Sequence, residues 1–464
     1  MPGFWNALLL SAACSAMLGL AAGLQLRSLD ISQNISQTDS ATEQPAEEAA
    51  LKQYQQAAEL AEKAVAAFNS ANSADSDTAR LDLTLRERDL WRSALKKIEA
   101  IPARSSLHER AIAKQVQYEK LLANAENKLA KANQNFIVGI IQAANTNPSS
   151  VHVTLCQIEV SPTDKVVQPA AQQKAAKKPA PKAEITAATP LPPVLLKKGK
   201  LESRYCRQHQ GDQLMASAAS LIKVPIALAL VHRTAEISDA AGAKPTRVNL
   251  SQKIAIDPGN FTENAAGATI EIGEEYTLQK VMSHMISDSD NIATNQLIDY
   301  LGYDNINQTL RQLGYLQTTV GHKLAGDQVM PVGFGVGSNQ TSTNEITAMV
   351  AQMYKSNALG DKDIVTALGN QSDRELGYEA LMVDDQAANL STSSTAANKA
   401  KIEWLGEKTA QNAQVLASTS IMQIGQAHYV LTVALDNNGD AYALRQVISG
   451  IADHLAKVGP LVQR

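Results

Sequence analysis

The stretch MASAASLIKVPIALAL, residues 215–230, decides how this chain is read. It sets Ser220, two apolar residues and Lys223 at the start of a long apolar run. Such a run reads as a buried helix. Residues three apart on a helix share a face, so Ser220 and Lys223 can touch. A buried amine is costly unless it is paired or neutral. Lys223 therefore either reaches out to water or sits where it takes a proton from Ser220. A serine at a helix N-terminus also meets free backbone N–H groups that stabilise an oxyanion. Partial desolvation lowers a lysine's proton affinity and suits it to general-base work. A second Ser-x-x-Lys, Ser93 to Lys96, is explained fully by an exposed helix face.

Two further segments place polar groups at informative points. In HMISDSDNIATNQLIDYLG, residues 284–302, Ser289, Asp290 and Asn291 fall at the junction of two expected helices. Taken alone, that reads as N-capping of a helix from Ile292 by Asp290 or Ser289. In WLGEKTAQNAQVLAST, residues 404–419, Lys408 and Thr409 open an expected strand. They read either as an ordinary edge-strand pair or as a charge and a hydroxyl at the rim of a cleft. Taken in order, S-x-x-K, S-D-N and K-T with a small residue after it resemble the motif set of class A β-lactamases and penicillin-binding proteins. The surroundings resemble that family too. SLIKVPIALAL is similar to its nucleophile helix, SDSDNIATNQLI to its central loop and helix, TSTNEITAMVAQMY to the helix after its omega loop, and AHYVLTVALDN to its last strand. The resemblance covers roughly residues 136–464, apart from a Lys/Pro-rich insertion.

The resemblance implies a role for each matching residue. Ser220 is the acylated nucleophile and Lys223 its base or proton relay. Ser289 passes a proton to the departing nitrogen. Asn291 holds the substrate's amide side chain and Lys223. Lys408 and Thr409 bind the substrate carboxylate, and the backbone N–H groups of Ser220 and Gln411 form the oxyanion hole. No metal or other cofactor is implied. Three departures stand out. The omega-loop counterpart, GHKLAGDQVMPVGFGVGSNQTS at 321–342, has no glutamate to activate a deacylating water. Asp327 is its only carboxylate, and Glu345 reads as the partner of Ser342 in a capping box on the next helix. Ala410 replaces the family's glycine after Lys-Thr, and its methyl is expected to crowd the substrate. No arginine follows on that strand to grip a carboxylate.

The totals bound the rest. The chain has 464 residues, 42 Lys and Arg against 46 Asp and Glu, and a formal net charge of −4, so nothing marks it for nucleic acid. Its 44% hydrophobic content supports a real core. FWNALLLSAACSAMLGLAAGLQL, residues 4–26, is long and apolar enough to span a bilayer. Residues 1–27 are expected to be a membrane anchor that leaves the remainder on the periplasmic or wall side, although Arg27 after the segment and no basic residue before it give the charge rule little to act on. Residues 28–44 read as a tether and 45–135 as an α-helical hairpin region, a stalk or docking module for a protein partner. Within it, Ser106 and Glu109 are expected to form a capping box. Residues 161–199, rich in Lys, Pro and Ala, read as a disordered insertion at a hairpin tip. The flanking strands carry Cys156 and Cys206, which form a disulfide or remain two buried thiols.

The expected fold is therefore α/β (α+β), a serine β-lactamase-like sandwich whose antiparallel sheet draws strands from both chain ends, with a helical subdomain. The expected function is a membrane-anchored serine hydrolase acylated at Ser220 by β-lactams or D-Ala-D-Ala-type wall peptides and slow to deacylate. Two readings compete with it: a catalytically inert binding module on the same fold, and a structural wall-anchoring protein whose helical hairpin carries the function.

Overall fold

The computed structural model describes residues 43–133, 135–158, 196–197, 200–201, 205–232, 234–235, 246–263, 269–356, 359–388, 400–437 and 439–461. The expected anchor at 1–27, nearly all of the tether at 28–44 and nearly all of the insertion at 161–199 lie outside these residues. Among the described residues, no helix is long and apolar enough to cross a membrane.

Three helices occupy the expected hairpin region: α1 (Glu43–Asn72), α2 (Asp77–Glu99) and α3 (His108–Ala132). The chain divides into two compact units, and the division crosses these helices instead of falling at residue 135. One unit takes the described residues up to 64 together with 90–121; the other takes 65–89 and 122–464. Within the first unit, Ala50, Ala57, Ala61 and Ala64 are buried, at spacings of seven, four and three that place them on one face of α1. Trp91 packs on Tyr118 with ring centroids 5.2 Å apart. Ser106 does not form the expected capping box with Glu109. Its N–H and hydroxyl both go to Glu47, the former at 3.1 Å. The acid on α1 thus takes donors that a local cap would have used. Ser93 and Lys96 are exposed, as the helix-face reading requires.

The second unit is built on a five-stranded antiparallel sheet. Its strands are β1 (Val151–Ile158), β2 (Cys206–His209), β3 (Ile402–Asn412), β4 (Val415–Ile424) and β5 (Ala427–Asp436), in the order β2-β1-β5-β4-β3. Both chain ends contribute, as expected, and β1 pairs directly with β5. Cys156 lies opposite Cys206, and the two form a disulfide with Cα atoms 4.1 Å apart.

Side-chain alternation sends the sheet's two faces into two cores. Val151, Val153 and Leu155 join Leu416, Leu431 and Val433 against α4 (Phe136–Ala143), α11 (Gly377–Ala388) and α12 (Ala441–Val458). Val415, Ala417, Ile421, Val430 and Ala434 face the other way. There they meet α5 (Lys223–His232), α6 (Leu278–Ser287), α7 (Asn291–Leu301), α8 (Tyr303–Gln312), α9 (Thr343–Lys355) and α10 (Leu359–Gly369). One row crosses this second face in register: Thr154, Thr432, Thr419 and Lys408. It is buried and polar, and α9 bonds its members on β1 and β5. Thr154 Oγ1 donates to Asn344 Oδ1 at 2.7 Å, Thr347 Oγ1 to Thr432 Oγ1 at 2.7 Å, and Thr432 Oγ1 to Thr419 Oγ1 at 2.9 Å. Lys408 ends the row on β3, an edge strand.

Candidate active site

Ser220 sits in a short 3₁₀ turn, Ala219–Ile222, that runs straight into α5. Every residue of α5 from Lys223 to Val231 is buried, so the apolar run does form a core helix, and Pro225 falls in its first turn, where its missing N–H is harmless. Ala219 holds φ at +39°, a left-handed backbone that side chains seldom adopt. The segment before Ser220 is tied down on three sides. Met215 N donates to Thr341 O at 3.2 Å, Ala216 N to Asp436 Oδ1 at 3.0 Å, and Asn412 Nδ2 on β3 to Ser217 Oγ at 2.9 Å.

Lys223 is fully buried. Its Nζ lies 3.3 Å from Ser220 Oγ, 3.0 Å from Ser289 Oγ and 2.8 Å from Asn291 Oδ1, and it also donates to the Ser289 carbonyl. The amine therefore does not reach water. Burial holds its pKa well below the ordinary lysine value, and repulsion from Lys408 adds to this, against an opposing pull from Asp290. An amine that donates to Asn291 and to the Ser289 carbonyl has a lone pair left for the Ser220 hydroxyl.

Ser289 joins α6 to α7 with φ at +56°. The left-handed turn aims both its carbonyl and its hydroxyl at Lys223. Asp290 is the N-cap of α7, accepting from Ala293 N at 2.9 Å, and it also takes Thr269 N at 2.9 Å, so this acid is structural. Asn291 Nδ2 donates to Glu263 O at 3.4 Å, which fixes the amide's orientation.

Lys408 and Thr409 lie in the interior of β3, six residues after its start, and do not open the strand as expected. Lys408 is fully buried, and burial lowers its pKa to about 8 despite the opposing fields of Asp373, Glu407 and Asp288. The preceding Glu407 points to the other face. Burial pushes its pKa up to about 7, although Gly377 N donates to it at 2.7 Å and caps α11 upon it. Gln411 is exposed at the end of β3. Ala410 is 3% exposed and belongs to the apolar core around α5. Its methyl is covered by protein and does not project into a cleft, contrary to the crowding expected from the sequence. Arg445, in α12, pairs with Glu379 at 2.7 Å.

The loop 321–342 is held by groups the sequence reading did not single out. Asn295, one turn after Asn291 on α7, pairs with the backbone of Leu324 in both directions at 2.8 Å. Asn339 Oδ1 accepts Gly321 N at 2.9 Å, and buried Lys323 meets Asp299 at 2.7 Å. The residue whose backbone meets Asn295 is thus a leucine, and its side chain packs against the core around α5. Asp327 is exposed. Glu345 is buried and committed: Leu316 N, Gln317 N, Thr318 N and Thr318 Oγ1 all donate to its carboxylate, at 2.8, 3.0, 2.8 and 2.6 Å. Ser342 caps its N–H at 3.4 Å, but the reciprocal half of the capping box is absent because the side chain turns to residues 316–318. The i, i+3 and i, i+4 spacings on α7 are the signal that would have found Asn295. Nothing local marks Lys323.

Comparison with known proteins adds the following. The profile described as the Beta-lactamase enzyme family matches residues 201–458, more than half of the chain. Similar solved structures include a β-lactamase from Sphaerobacter thermophilus, at 18% identity, covering 71% of this chain and 98% of that one, with a TM-score of 0.43. PBP-A matches at 18% identity over 68% of this chain and 94% of that one, TM-score 0.45. A β-lactamase from Xanthomonas campestris pv. campestris matches at 14% identity over 69% and 98%, TM-score 0.43. These similarities are too distant to carry weight on their own. None of the curated proteins compared matches the chain. The profile match, spanning the S-x-x-K, S-D-N and K-T segments now seen on one fold, is what decides: this chain belongs to the Beta-lactamase enzyme family.

Proposed function

We propose that this protein is a serine hydrolase in which Ser220 is acylated by β-lactams or D-Ala-D-Ala-type peptides and released slowly. The observation that carries the reading is Lys223, fully buried within reach of Ser220, Ser289 and Asn291. A lysine kept neutral at that position takes the Ser220 proton as the hydroxyl attacks the carbonyl carbon. The tetrahedral oxyanion forms beside the Ser220 and Gln411 backbone N–H groups, and Ser289 delivers a proton to the leaving nitrogen. Asn291 aligns the substrate amide, and Lys408 with Thr409 receives its far end. Hydrolysis of the ester then needs an activated water. The loop 321–342 itself carries only exposed Asp327, Glu263 beside the loop accepts from Val329 N at 3.2 Å, and Glu345 has its carboxylate filled, so the ester persists. The Cys156–Cys206 bond supports placing this unit in an oxidising compartment outside the cytoplasm.

The test is the intact-protein mass after exposure to benzylpenicillin. A stable adduct, lost in Ser220→Ala, is expected. Rapid multiple turnover would overturn the slow-release part of the proposal. Absence of both adduct and turnover would favour an inert module on the same fold.

A further inference from the structure

The connection between α10 and α11, residues 370–376, closes over the Lys408–Thr409 end of the site. Gln371 is buried and sets its Oε1 3.5 Å from Lys408 Nζ. Thr409 Oγ1 donates to Asp373 Oδ2 at 2.7 Å, and the other oxygen of Asp373 accepts from Glu375 N at 3.2 Å. Thr409 is 5% exposed, while Asp373 is exposed, so the carboxylate is the outermost group over that hydroxyl. The loop's arginine does not offset it. Arg374 Nε donates to Gln371 O at 3.0 Å, and its guanidinium lies 5.0 Å from the Trp404 ring centre and 5.3 Å from that of Tyr378.

We propose that Asp373 is a specificity-determining residue that makes this end of the site disfavour a substrate carboxylate and favour a neutral carboxamide. The inference rests on the reading of Lys408 and Thr409 given above. A carboxylate arriving at Thr409 Oγ1 has to displace Asp373 from that hydroxyl and then remain beside a like charge. A carboxamide meets no such conflict. Its N–H donates to Asp373 where Asp373 already stands, and Lys408, fully buried, acts on it only through its charge. Asp373 therefore presents an acceptor that the N–H of a primary amide matches and a carboxylate does not.

Equilibrium binding tests this without any chemical step. Calorimetry in the Ser220→Ala background compares N-acetylated Lys-D-Ala-D-Ala with the same peptide carrying a C-terminal amide. With Asp373 in place the amide binds more tightly. Asp373→Asn tightens the acid by about tenfold or more, most strongly at low salt, and removes the preference. Tighter binding of the acid with Asp373 present would overturn the proposal. So would an unchanged ratio in Asp373→Asn, or failure of both peptides to bind any variant. Circular dichroism melting confirms that the variant is folded. The benzylpenicillin adduct is a separate readout. An adduct at Ser220 without the amide preference sinks only the Asp373 proposal. Benzylpenicillin carries the disfavoured carboxylate, so the preference together with no adduct from either benzylpenicillin or its methyl ester sinks only the nucleophile reading.

Discussion

Replacing Glu345 with glutamine separates a structural acid from a catalytic one. The carboxylate of Glu345 takes Leu316 N and Gln317 N on one oxygen and Thr318 N and Oγ1 on the other. Glutamine keeps one oxygen and turns the other into a donor facing donors. The Thr318 hydroxyl has an alternative, since Thr341 Oγ1 lies 2.8 Å away. Its backbone N–H has none and is left buried and unpaired, at a cost of about 1–3 kcal/mol. The two bonds that survive lose their charge assistance, worth about half a kcal/mol or more each. The sum is about 3 kcal/mol. Urea denaturation should show the midpoint falling at unchanged slope. The Ser220 adduct in the same variant should decay at the unaltered rate. A stability loss under about 1 kcal/mol would refute the cradle reading. Adduct decay slowed by about tenfold or more would make Glu345 the hydrolytic base and refute the argument for slow release.

Four other outcomes are expected. Replacing Cys156 and Cys206 with serine opens a loop of sequence separation 50, which the chain-entropy relation values at about 4 kcal/mol, measurable by denaturant unfolding. Lys223→Ala slows acylation by about 10²–10⁴-fold, followed by quenched-sample mass spectrometry. In the native protein the acylation rate climbs with pH as Lys223 loses its proton and levels off well below 10.5; a rise that continues to 10.5 would show that burial does not depress this amine. Finally, burial lowers the Lys408 pKa to about 8 while Asp373 holds it up, so in Asp373→Asn the lysine loses its charge at a lower pH, and the affinity of that variant for the acid peptide should fall as pH rises through a value below 8.

Much of this arrangement was legible in the chain itself, and the exceptions have physical causes. The Ser220–Lys223 contact follows from a three-residue helical spacing, and the Asp290 cap from its place before α7. The cysteine pair followed from two β-patterned segments with facing residues. The start of β3 was missed because a bulge breaks its alternation: Trp404 pairs with Met422 and Gly406 with Ile421, leaving Leu405 as an extra residue. Ala410 was misjudged because which neighbours cover a methyl depends on α5, nearly 190 residues earlier in the chain. Asp373 carries no local signal at all. Its meaning comes from one long-range hydrogen bond to Thr409, which no periodicity encodes.

The pairing of β1 with β5 governs how this chain is made. His152 and Asp436, bonded at 2.9 Å, are 284 residues apart in sequence. The centre of the sheet therefore cannot form until nearly the whole polypeptide has left the ribosome. Until then β1 has β2 on one side and an open ladder on the other, an edge prone to wrong partners. So high a contact order predicts slow completion of folding and a premium on holding the nascent chain unpaired. Termination anywhere before residue 427 would yield, instead of a shortened enzyme, a chain without the strand that joins the two halves of its sheet.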